Sequence, residues 1–296
     1  MFIPILAARD GWHTDQLSRA IAARGHRTAV LPYETLVARL GTAPGARAAL
    51  AAREHDLLDA DAVLARIIPN GSLEQIIYRV DALHWLEDLG VCVMNPPRAI
   101  ERTVDKFYTS ALLQRAGLPT PETVVCERAE DALAAFRTMG DVIVKPLFGS
   151  MGLGMVRVSD EEIAWRVFRA LEAIRGVYYL QRAIAHEGCD VRAFVVGDRV
   201  IGAIERRAAG WRTNISRGGA ARRIALPAEW EAMAVCAVRA VGAEYAGVDL
   251  LPARDGMVYV LEVNGIPGWR GLQQATSIDV AATIVAHLLD AREARA

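Results

Sequence analysis

Two lysines stand out in a chain that otherwise uses arginine. Of 34 lysine and arginine residues, only Lys106 and Lys145 are lysine. These two positions favour an ammonium, a compact point charge that fits against a phosphate oxygen where a planar guanidinium would not. The alternative is that two lysines survived in an arginine-biased composition.

Lys145 ends an apolar run, and Gly149, Gly152 and Gly154 follow it in KPLFGSMGLGM. Glycines permit close backbone approach and can direct amide groups at an anion. The segment therefore predicts a flexible phosphate cover. A glycine-rich hairpin turn that binds no ligand is the simpler alternative.

Oxygen-bearing side chains gather near the end of the chain. Glu262 and Asn264 are two apart in MVYVLEVNG and so share one face of a strand, while Asp249 interrupts the apolar run AGVDLL. Carboxylates buried without a partner are costly, so paired acids with an amide carbonyl predict magnesium held together with phosphates. Exposed strand ends or internal hydrogen bonds would also explain such residues.

Arginine and amide groups lie between these clusters, and each arginine alone is consistent with a surface role. In the glycine-containing loop GWRTNISRGG, forked donors could bind the γ-phosphate and an acyl phosphate formed from it. The histidines form no dyad or metal motif, and GxSxG and Walker A sequences are absent. The residues concerned are Arg192, Arg206, Arg207, Arg212, Asn214 and Arg217.

The elements that must position these groups change character near residue 100. Before it, strands FIPILA, TAVLPY, AVLARII and VCVM alternate with helices, the first from Thr14 to Arg24 and closed by Gly25. A second helix has Ser72 as N-cap and Gly90 as C-cap. Its apolar stripe comprises Leu73, Ile76, Ile77, Val80 and Leu83. This alternation predicts a small parallel-sheet α/β domain.

From Arg102 onward the pattern predicts α+β structure: a helix ending at Gly117, strand ETVVC, a helix from Ala132 to Met139 and strand DVIVKPLF. VRAFVV and RVIGAIER flank the turn Gly197-Asp198, a strong hairpin signal. A helix across 230–241 precedes strands AGVDLL and MVYVLEV. We expect this second half to be largely antiparallel.

Composition indicates an ordinary globular protein of about two domains. The 296 residues are 53% hydrophobic with a net charge of -1, which suggests neither a nucleic-acid nor a membrane surface. The scattered cysteines favour a reducing, cytoplasmic setting. The apolar segment 2–8 lacks a basic flank and predicts a buried strand, not a signal peptide, and no apolar run reaches transmembrane length.

Roughly residues 90–290 resemble the RimK-type α-L-glutamate ligases of the ATP-grasp superfamily. The resemblance rests on five segments in the family's order: DKFYTSALLQRAGLPTPET, VIVKPLFGSMGLGM, GCDVRAFVVGDRVIGAIERR, WRTNISRGGAA, and AGVDLL with LEVNGIPG. It implies a Rossmann-like pre-ATP-grasp domain (1–101) and a two-subdomain ATP-grasp fold (102–296). That fold would comprise a central lid subdomain (102–180) and a C-terminal subdomain (181–296) that together clasp ATP.

The resemblance also implies residue roles. One departure is Arg182, which stands where the adenine-binding hinge usually has an acidic residue, so recognition there is expected through the backbone. The predicted ATP-binding residues are Lys106, Lys145, Gly149, Ser150, Gly152, Gly154, Gln181, Arg182, Ala183, Asp190, Arg212, Thr213 and Asn214. Asp249, Glu262 and Asn264 match the ligands of two magnesium or manganese ions, and Arg192 and Arg217 are the predicted catalytic arginines.

The function so implied is a carboxylate–amine ligase that adds L-glutamate to a small-molecule carboxylate acceptor through an acyl phosphate. Residues 67–101 look more like the branch that glutamylates pterin or deazaflavin coenzymes, such as tetrahydromethanopterin. The alternatives are a ligase that modifies a protein or peptide C-terminus, and a non-catalytic ATP-binding regulatory protein. Neither the acceptor nor the oligomeric state follows from the sequence, and a homo-oligomer stays open.

Overall fold

The computed structural model describes residues 1–41, 48–149, 152–207 and 220–295, and only the backbone of Ala220. Its helices are α1 (Trp12–Ala23), α2 (Leu73–Asp88), α3 (Pro97–Val104), α4 (Lys106–Arg115), α5 (Ala129–Met139), α6 (Glu161–Ala173), α7 (Ala228–Val241), α8 (Arg270–Thr276) and α9 (Val280–Arg295). Across the ranges described, no helix is long and apolar enough to span a membrane.

The strands form one parallel sheet and three antiparallel ones. They are β1 (Ile5–Ala7), β2 (Val30–Pro32), β3 (Leu36–Arg39), β4 (Ala49–Ala52), β5 (His55–Asp56), β6 (Ala62–Ala65), β7 (Cys92–Met94), β8 (Thr123–Cys126), β9 (Val142–Lys145), β10 (Val156–Val158), β11 (Tyr178–Arg182), β12 (Cys189–Val196), β13 (Arg199–Arg207), β14 (Ala220–Ile224), β15 (Tyr245–Pro252) and β16 (Val258–Asn264).

The predicted N-terminal parallel sheet is confirmed, in the order β2-β1-β6-β7. Both of its faces are buried: Ile5 and Leu64 pack with residues of α1 and α9, while Leu6 and Val63 pack with residues of α2. Burial on both faces explains why these strands are apolar throughout and do not alternate. The chain leaves β1 towards β2 on one side and returns to β6 on the other, so the strand order reverses beside β1.

In the chain, the segment from β2 to β6 forms a small antiparallel sheet, β3-β4-β5. The sequence had suggested only alternating strands and helices there. Its strands are short, and β4 reads ALAA. Alanine has low strand propensity, so local sequence gives little sign of this sheet. Leu36, Leu50 and Ala52 hold it against the core beneath the parallel sheet.

Helix α2 begins after the predicted cap Ser72, whose side chain accepts from the amide of Gln75. The expected apolar stripe is only partly buried: Leu83 is enclosed, but Leu73 is 75% exposed. The reason is length. The 16 residues of α2 extend about 24 Å, whereas strands of three or four residues extend about 13 Å, so the first half of α2 passes beyond the sheet.

The predicted helix from Arg102 to Gly117 is two helices, α3 and α4, separated at Asp105. Asp105 has extended backbone angles, and its carboxylate accepts from the Tyr108 amide as the N-cap of α4. The expected domain boundary at 101/102 therefore falls inside α3, and the expected subdomain boundary at 180/181 falls inside β11.

The middle of the chain forms the sheet β10-β9-β11-β8. Val142, Val144 and Leu180 pack against α5 and α6 on one face. Because successive strand residues alternate faces, Lys145 and Gln181 lie on the other face. This second face forms one wall of the candidate site.

The predicted antiparallel second half is confirmed in the sheet β14-β13-β12-β15-β16. One face is apolar and packs against α7. The other face changes along β12: Phe194 packs with Tyr245 and Trp269, whereas Asp190 and Arg192, at alternate positions before it, are charged. The charged half of this face forms the opposite wall of the candidate site.

Candidate functional site

A cleft lies between the sheets β10-β9-β11-β8 and β14-β13-β12-β15-β16, and its empty volume is about 980 Å³ when its open side is counted. It brings together ten residues that the sequence singled out: Lys106, Lys145, Gly149, Gly152, Gln181, Arg182, Ala183, Asp190, Asp249 and Glu262.

Lys145 ends β9 and directs its ammonium into the cleft. Its Nζ donates to Gln181 Oε1 at 2.5 Å, and β9 and β11 place it opposite Tyr179. Burial lowers the pKa of Lys145 to about 8; Glu262 opposes this shift and Lys106 adds to it. An anion bound beside this amine would restore its charge, so Lys145 is suited to a phosphate.

Lys106 begins α4 and reaches the glycine-rich segment from the other side. Its Nζ donates to the carbonyl oxygen of Gly149 at 2.8 Å and to that of Leu147 at 3.4 Å. Burial lowers the pKa of Lys106, while the negative charges of Glu262 and Asp105 raise it. The two lysines of the chain therefore lie in one cleft, and the Glu262 carboxylate raises the pKa of both.

The glycine spacing reflects backbone geometry. Gly149, Gly152 and Gly154 all have positive φ, at 147°, 66° and 74°. A Cβ on Gly154 would lie 2.8 Å from Pro146 Cγ, which allows no side chain there. Gly154 itself does not line the cleft, so its conformation shapes the segment and does not offer a direct contact.

Asp249 and Glu262 lie opposite each other on β15 and β16, as the strand patterns predicted. Arg192 faces Asp249 from β12 and donates to both of its carboxylate oxygens, each at 2.7 Å. Arg206 donates to Asp249 Oδ2 at 2.9 Å and bridges both oxygens of Asp190. The sequence assigned Asp190 to ATP, Asp249 to the metal and Arg192 to catalysis. In the structure they form one network of ion pairs together with Arg206.

Charge separates the two carboxylates. Burial alone would raise the pKa of Asp249, but Arg192 and Arg206 outweigh it and hold that pKa well below the usual range. Burial and the neighbouring Asp249 raise the pKa of Glu262, and the nearby cations only partly offset this. Glu262 keeps 43% of its side-chain surface accessible, and the ion-pair contact that it makes with Arg192 within the described ranges is 3.6 Å long.

These groups fit a hard cation. Glu262 presents a carboxylate with few protein bonds, and Asp249 lies beside it. Asn264 shares their face opposite Gly247, and its Oδ1 accepts one bond, from the Ile266 amide at 3.0 Å. Two carboxylates and an amide oxygen suit magnesium. Among the described residues, no cluster of three or more His, Cys, Asp and Glu side chains offers another metal site.

The predicted adenine hinge lines the cleft, but much of it already has partners. Arg182 donates to Glu122 Oε2 and to the Met139 carbonyl oxygen, so its side chain is held along the sheet. The amides of Arg182 and Ala183 donate to backbone carbonyls of Glu122 and Asp141. An adenine would therefore have to displace these bonds, or use the carbonyls of this stretch or the next residue.

Some lining residues had no sequence signal. An apolar wall, suited to a planar base, comprises Ile143, Leu153, Met155, Ile184 and Leu261. Only strand alternation could have indicated Ile143, because it shares a face with Lys145. His186 also lines the cleft, and its buried Nδ1 has no hydrogen-bond partner within the described ranges.

Five predicted residues lie outside the described residues: Ser150, Arg212, Thr213, Asn214 and Arg217. Arg192 and Asn264 adjoin the carboxylate pair without lining the cleft. The described geometry therefore provides two lysines and two carboxylates in one open cleft between two sheets. Such a set can hold a polyphosphate and its cation.

Comparison with known proteins identifies the two parts of the chain. A model described as the RimK PreATP-grasp domain matches residues 1–100. A second, described as the RimK-like ATP-grasp domain, matches residues 103–288.

Among curated relatives, the tetrahydromethanopterin:alpha-L-glutamate ligase of Methanosarcina acetivorans is 38% identical over 261 residues, 78% of this chain and 81% of that protein. The ribosomal protein bS6--L-glutamate ligase of Escherichia coli is 33% identical over 292 residues, 96% of this chain and 94% of that protein. A solved structure of the ATP-grasp ligase PsnB with a minimal precursor, Mg and ADP has a TM-score of 0.75 at 23% identity, covering 98% of both chains. At that identity the likeness shows the fold.

Proposed function

We propose that this chain, which belongs to the RimK-like ATP-grasp family, is a Mg-ATP-dependent ligase that joins L-glutamate to a carboxylate acceptor. One observation carries the proposal. Asp249 and Glu262 lie side by side in the cleft that also holds Lys106 and Lys145. Two carboxylates and two ammonium groups around one cleft suit phosphoryl transfer better than simple storage of a nucleotide.

In the proposed reaction, an oxygen of the acceptor carboxylate forms a bond to the γ-phosphorus of ATP. The bond from that phosphorus to the β-γ bridging oxygen breaks, and ADP leaves with its electron pair. The glutamate nitrogen then bonds to the acyl carbon, and the carbon-oxygen bond to phosphate breaks. The amine loses its proton to solvent, so the products are an amide, ADP and phosphate.

Each residue has a proposed electrostatic role. Lys106 and Lys145 bind phosphate oxygens, and Arg192 stabilises charge that develops on the acyl phosphate. Asp249, Glu262 and Asn264 would hold magnesium or manganese, for which we propose two ions. When bound, the metal neutralises charge on the phosphates during transfer. The chain needs no covalent nucleophile, because the acceptor carboxylate supplies the attacking oxygen.

The remaining roles follow the family pattern. We propose that Ser150, Arg212, Thr213 and Asn214 contact ATP and that Arg217 acts on the transferring phosphoryl group. We also propose that the chain divides into domains 1–101 and 102–296, and that the second domain has subdomains 102–180 and 181–296. A homo-oligomer is compatible with these roles.

For the acceptor, we propose a small carboxylate at the end of a pterin or deazaflavin coenzyme, such as tetrahydromethanopterin. The higher identity to the Methanosarcina relative favours this choice, at 38% against 33% for the ribosomal-protein ligase. The second candidate is a protein or peptide C-terminus, favoured by the wider coverage of the latter relative, 96% of this chain.

Mass spectrometry can test these proposals. Wild-type protein would be incubated with Mg-ATP, single amino acids, and pterin, deazaflavin and peptide acceptors in turn. We expect one acceptor to gain the mass of one or more glutamate residues, with one ADP formed for each glutamate added. ATP binding without ADP release across the panel would favour a non-catalytic regulatory protein and contradict the ligase proposal.

A further inference from the structure

Arg66 is a buried cation without an acidic partner. It is 3% exposed, and its guanidinium donates to Tyr245 OH at 3.2 Å and to the Pro267 carbonyl oxygen at 3.0 Å. Its positive charge lies over the Trp269 ring, 4.8 Å from the centroid. These bonds use only some of its N–H donors, and within the described ranges it has no carboxylate partner. Such a charge is costly unless an anion completes it.

The position of Arg66 in the fold is one that favours ligands. It follows β6 at the carboxyl end and donates its amide to Leu6 of β1. The strand order reverses between β1 and β6, and ligands of parallel sheets bind outside the carboxyl ends of the strands at such points. Helix α1 begins after Gly11, and its second residue, His13, lies against Trp269 at this edge of the sheet.

The rim of this crevice is also positive. Arg270 lies over Trp12, 5.8 Å from the ring centroid, and no carboxylate among the described residues pairs with it. The Trp269 amide donates a hydrogen bond to His13 Nε2 at 3.2 Å. Burial, with Arg66 and Arg270 nearby, lowers the pKa of His13 to about 4, so its ring is neutral at neutral pH.

A further polar group in the crevice lacks a partner. Trp269 is 1% exposed, and its rings pack against Trp12 and His13, the first two residues of α1. Its indole N–H has no acceptor among the residues that the structure describes. The indole N–H of Trp269 thus lies below Arg66, whose guanidinium has no carboxylate partner within the described ranges, and beside the first turn of α1.

The crevice adjoins the carboxylate pair of the cleft. A Cβ built on Gly247 would lie 3.2 Å from Pro267 Cβ on one side and 3.5 Å from Arg192 Cδ on the other. Pro267 accepts from Arg66, and Arg192 holds Asp249. Gly247 therefore lies between Pro267, which Arg66 contacts, and Arg192, which contacts the site proposed for phosphoryl transfer.

We propose that Arg66 and Arg270, with the first turn of α1, bind the non-reacting carboxylates of a dicarboxylate substrate whose reacting group lies beside Arg192. This inference rests on the proposed ligase function. Two substrates share the required chemistry: L-glutamate as the amine donor, and an acceptor that ends in a dicarboxylate. The pair of arginines explains why acidic molecules would be selected over neutral amino acids.

A purely structural role is the competing explanation for Arg66, because its bonds to Tyr245 and Pro267 tie the two halves of the chain together. Arg270 separates the two explanations. It is exposed, makes no described hydrogen bond to protein, and can be replaced without disturbing the core.

Calorimetry on the full chain with Mg-ADP would use L-glutamate and N-acetyl-L-glutamate as probes. We expect Arg270→Gln to weaken binding of the recognised probe at least about tenfold, the loss typical of one charge-assisted bond, with ADP affinity unchanged. Arg128→Gln is the matched control, because Arg128 is an exposed arginine at the start of α5 that pairs with Glu130. Equal probe affinity in wild type and Arg270→Gln would overturn the subsite.

The identity of the bound substrate follows from the two probes. Binding of L-glutamate alone assigns the subsite to the amine donor, because acetylation blocks a nitrogen that must face the acyl carbon. Binding of N-acetyl-L-glutamate as well assigns it to the acceptor. Failure of both probes to bind the wild type contradicts the proposal.

Nuclear magnetic resonance adds a readout that a structural role would not move. A carboxylate bound beside His13 should raise the pKa of that histidine, measured from its ring proton shifts with and without the probe. An unchanged titration counts against the subsite. Failure of wild type to form product with any acceptor would instead overturn the ligase function, whatever the probes show.

Discussion

Arg192 and Asp249 face each other across β12 and β15 and share two parallel hydrogen bonds of 2.7 Å. Arg206 binds the same carboxylate from the next strand. Asp249 is therefore ionised and already shared between two guanidinium groups, so a metal there would compete with them. Glu262 lies opposite Asp249 and, among the described residues, has a single longer contact to Arg192, so its carboxylate has more room for a metal.

We expect Glu262→Gln to lower turnover by orders of magnitude without unfolding the protein. Glutamine keeps the shape and hydrogen-bonding capacity but removes the charge that a magnesium ligand needs. Steady-state ADP formation measures this, and extra magnesium should rescue it only partly. Glu187→Gln, at an exposed ion pair with Arg254, is the control. Near-normal turnover by a folded Glu262→Gln protein would remove Glu262 from the metal site.

Lys145→Met should weaken ATP binding at least about tenfold, because it removes a charge-assisted contact to phosphate. The fold should persist, since Lys145 ends its strand and its ammonium bonds only to Gln181 among the described groups. Calorimetry with ATP, beside circular dichroism of both proteins, checks each part. Unchanged affinity would place Lys145 outside the nucleotide site.

The pH dependence of ATP binding should follow Lys145. Its pKa is lowered to about 8, so raising the pH through that value removes the positive charge from the nucleotide-free protein. ATP affinity should therefore fall as the pH rises from 7 to 9. Lys145→Arg keeps its charge throughout and should bind with a flatter pH profile. A wild-type profile that is flat over this range would contradict the assignment.

His13 should make stability depend on acid. Its pKa of about 4 in the folded chain lies below the ordinary value of 6.5, so between these values the unfolded chain binds the proton and the folded chain does not. Stability is therefore lost as the pH falls through this window, by at most about 1.4 kcal/mol per pH unit. Urea unfolding of wild type and His13→Gln at pH 7 and pH 5 should show the larger loss in wild type.

Residues 149–154 should exchange amide hydrogens more slowly when ATP is bound. Gly149, Gly152 and Gly154 have positive φ, and glycine changes backbone conformation at low cost. A cover that closes on phosphates requires such freedom. Hydrogen exchange with mass spectrometry would follow peptides from this region with and without ATP. Equal, strong protection in both states would indicate a fixed turn and not a cover.

The sequence predicted those parts of the site whose residue types are rare in their setting. An acid inside an apolar strand, as at Asp249, and a lysine before a glycine run, as at Lys145, differ from their surroundings, although Arg192 and Arg206 also satisfy the charge of Asp249. Strand alternation then placed Glu262 and Asn264 on one face, and the register with β15 confirmed it.

Features that depend on the assembled sheet gave no such sign. The Arg192–Asp249 pair joins residues 57 positions apart, and arginine is too common here to mark it. The first half of α2 is apolar but exposed, because helix length and strand length differ, and neither is visible in a local pattern. Arg66 was overlooked for the same reason, since only the fold shows that it lacks an acidic partner.

The two lysines of the cleft have a practical consequence for covalent labelling. They carry all the lysine ε-amines of the chain, and the lowered pKa of Lys145 leaves part of its amine unprotonated near neutral pH. Apart from the chain terminus, an acylating reagent would find its amine targets only around the nucleotide cleft, and most readily at Lys145. The extent of acylation would thus report occupancy of the cleft, because a bound nucleotide shields the groups that react.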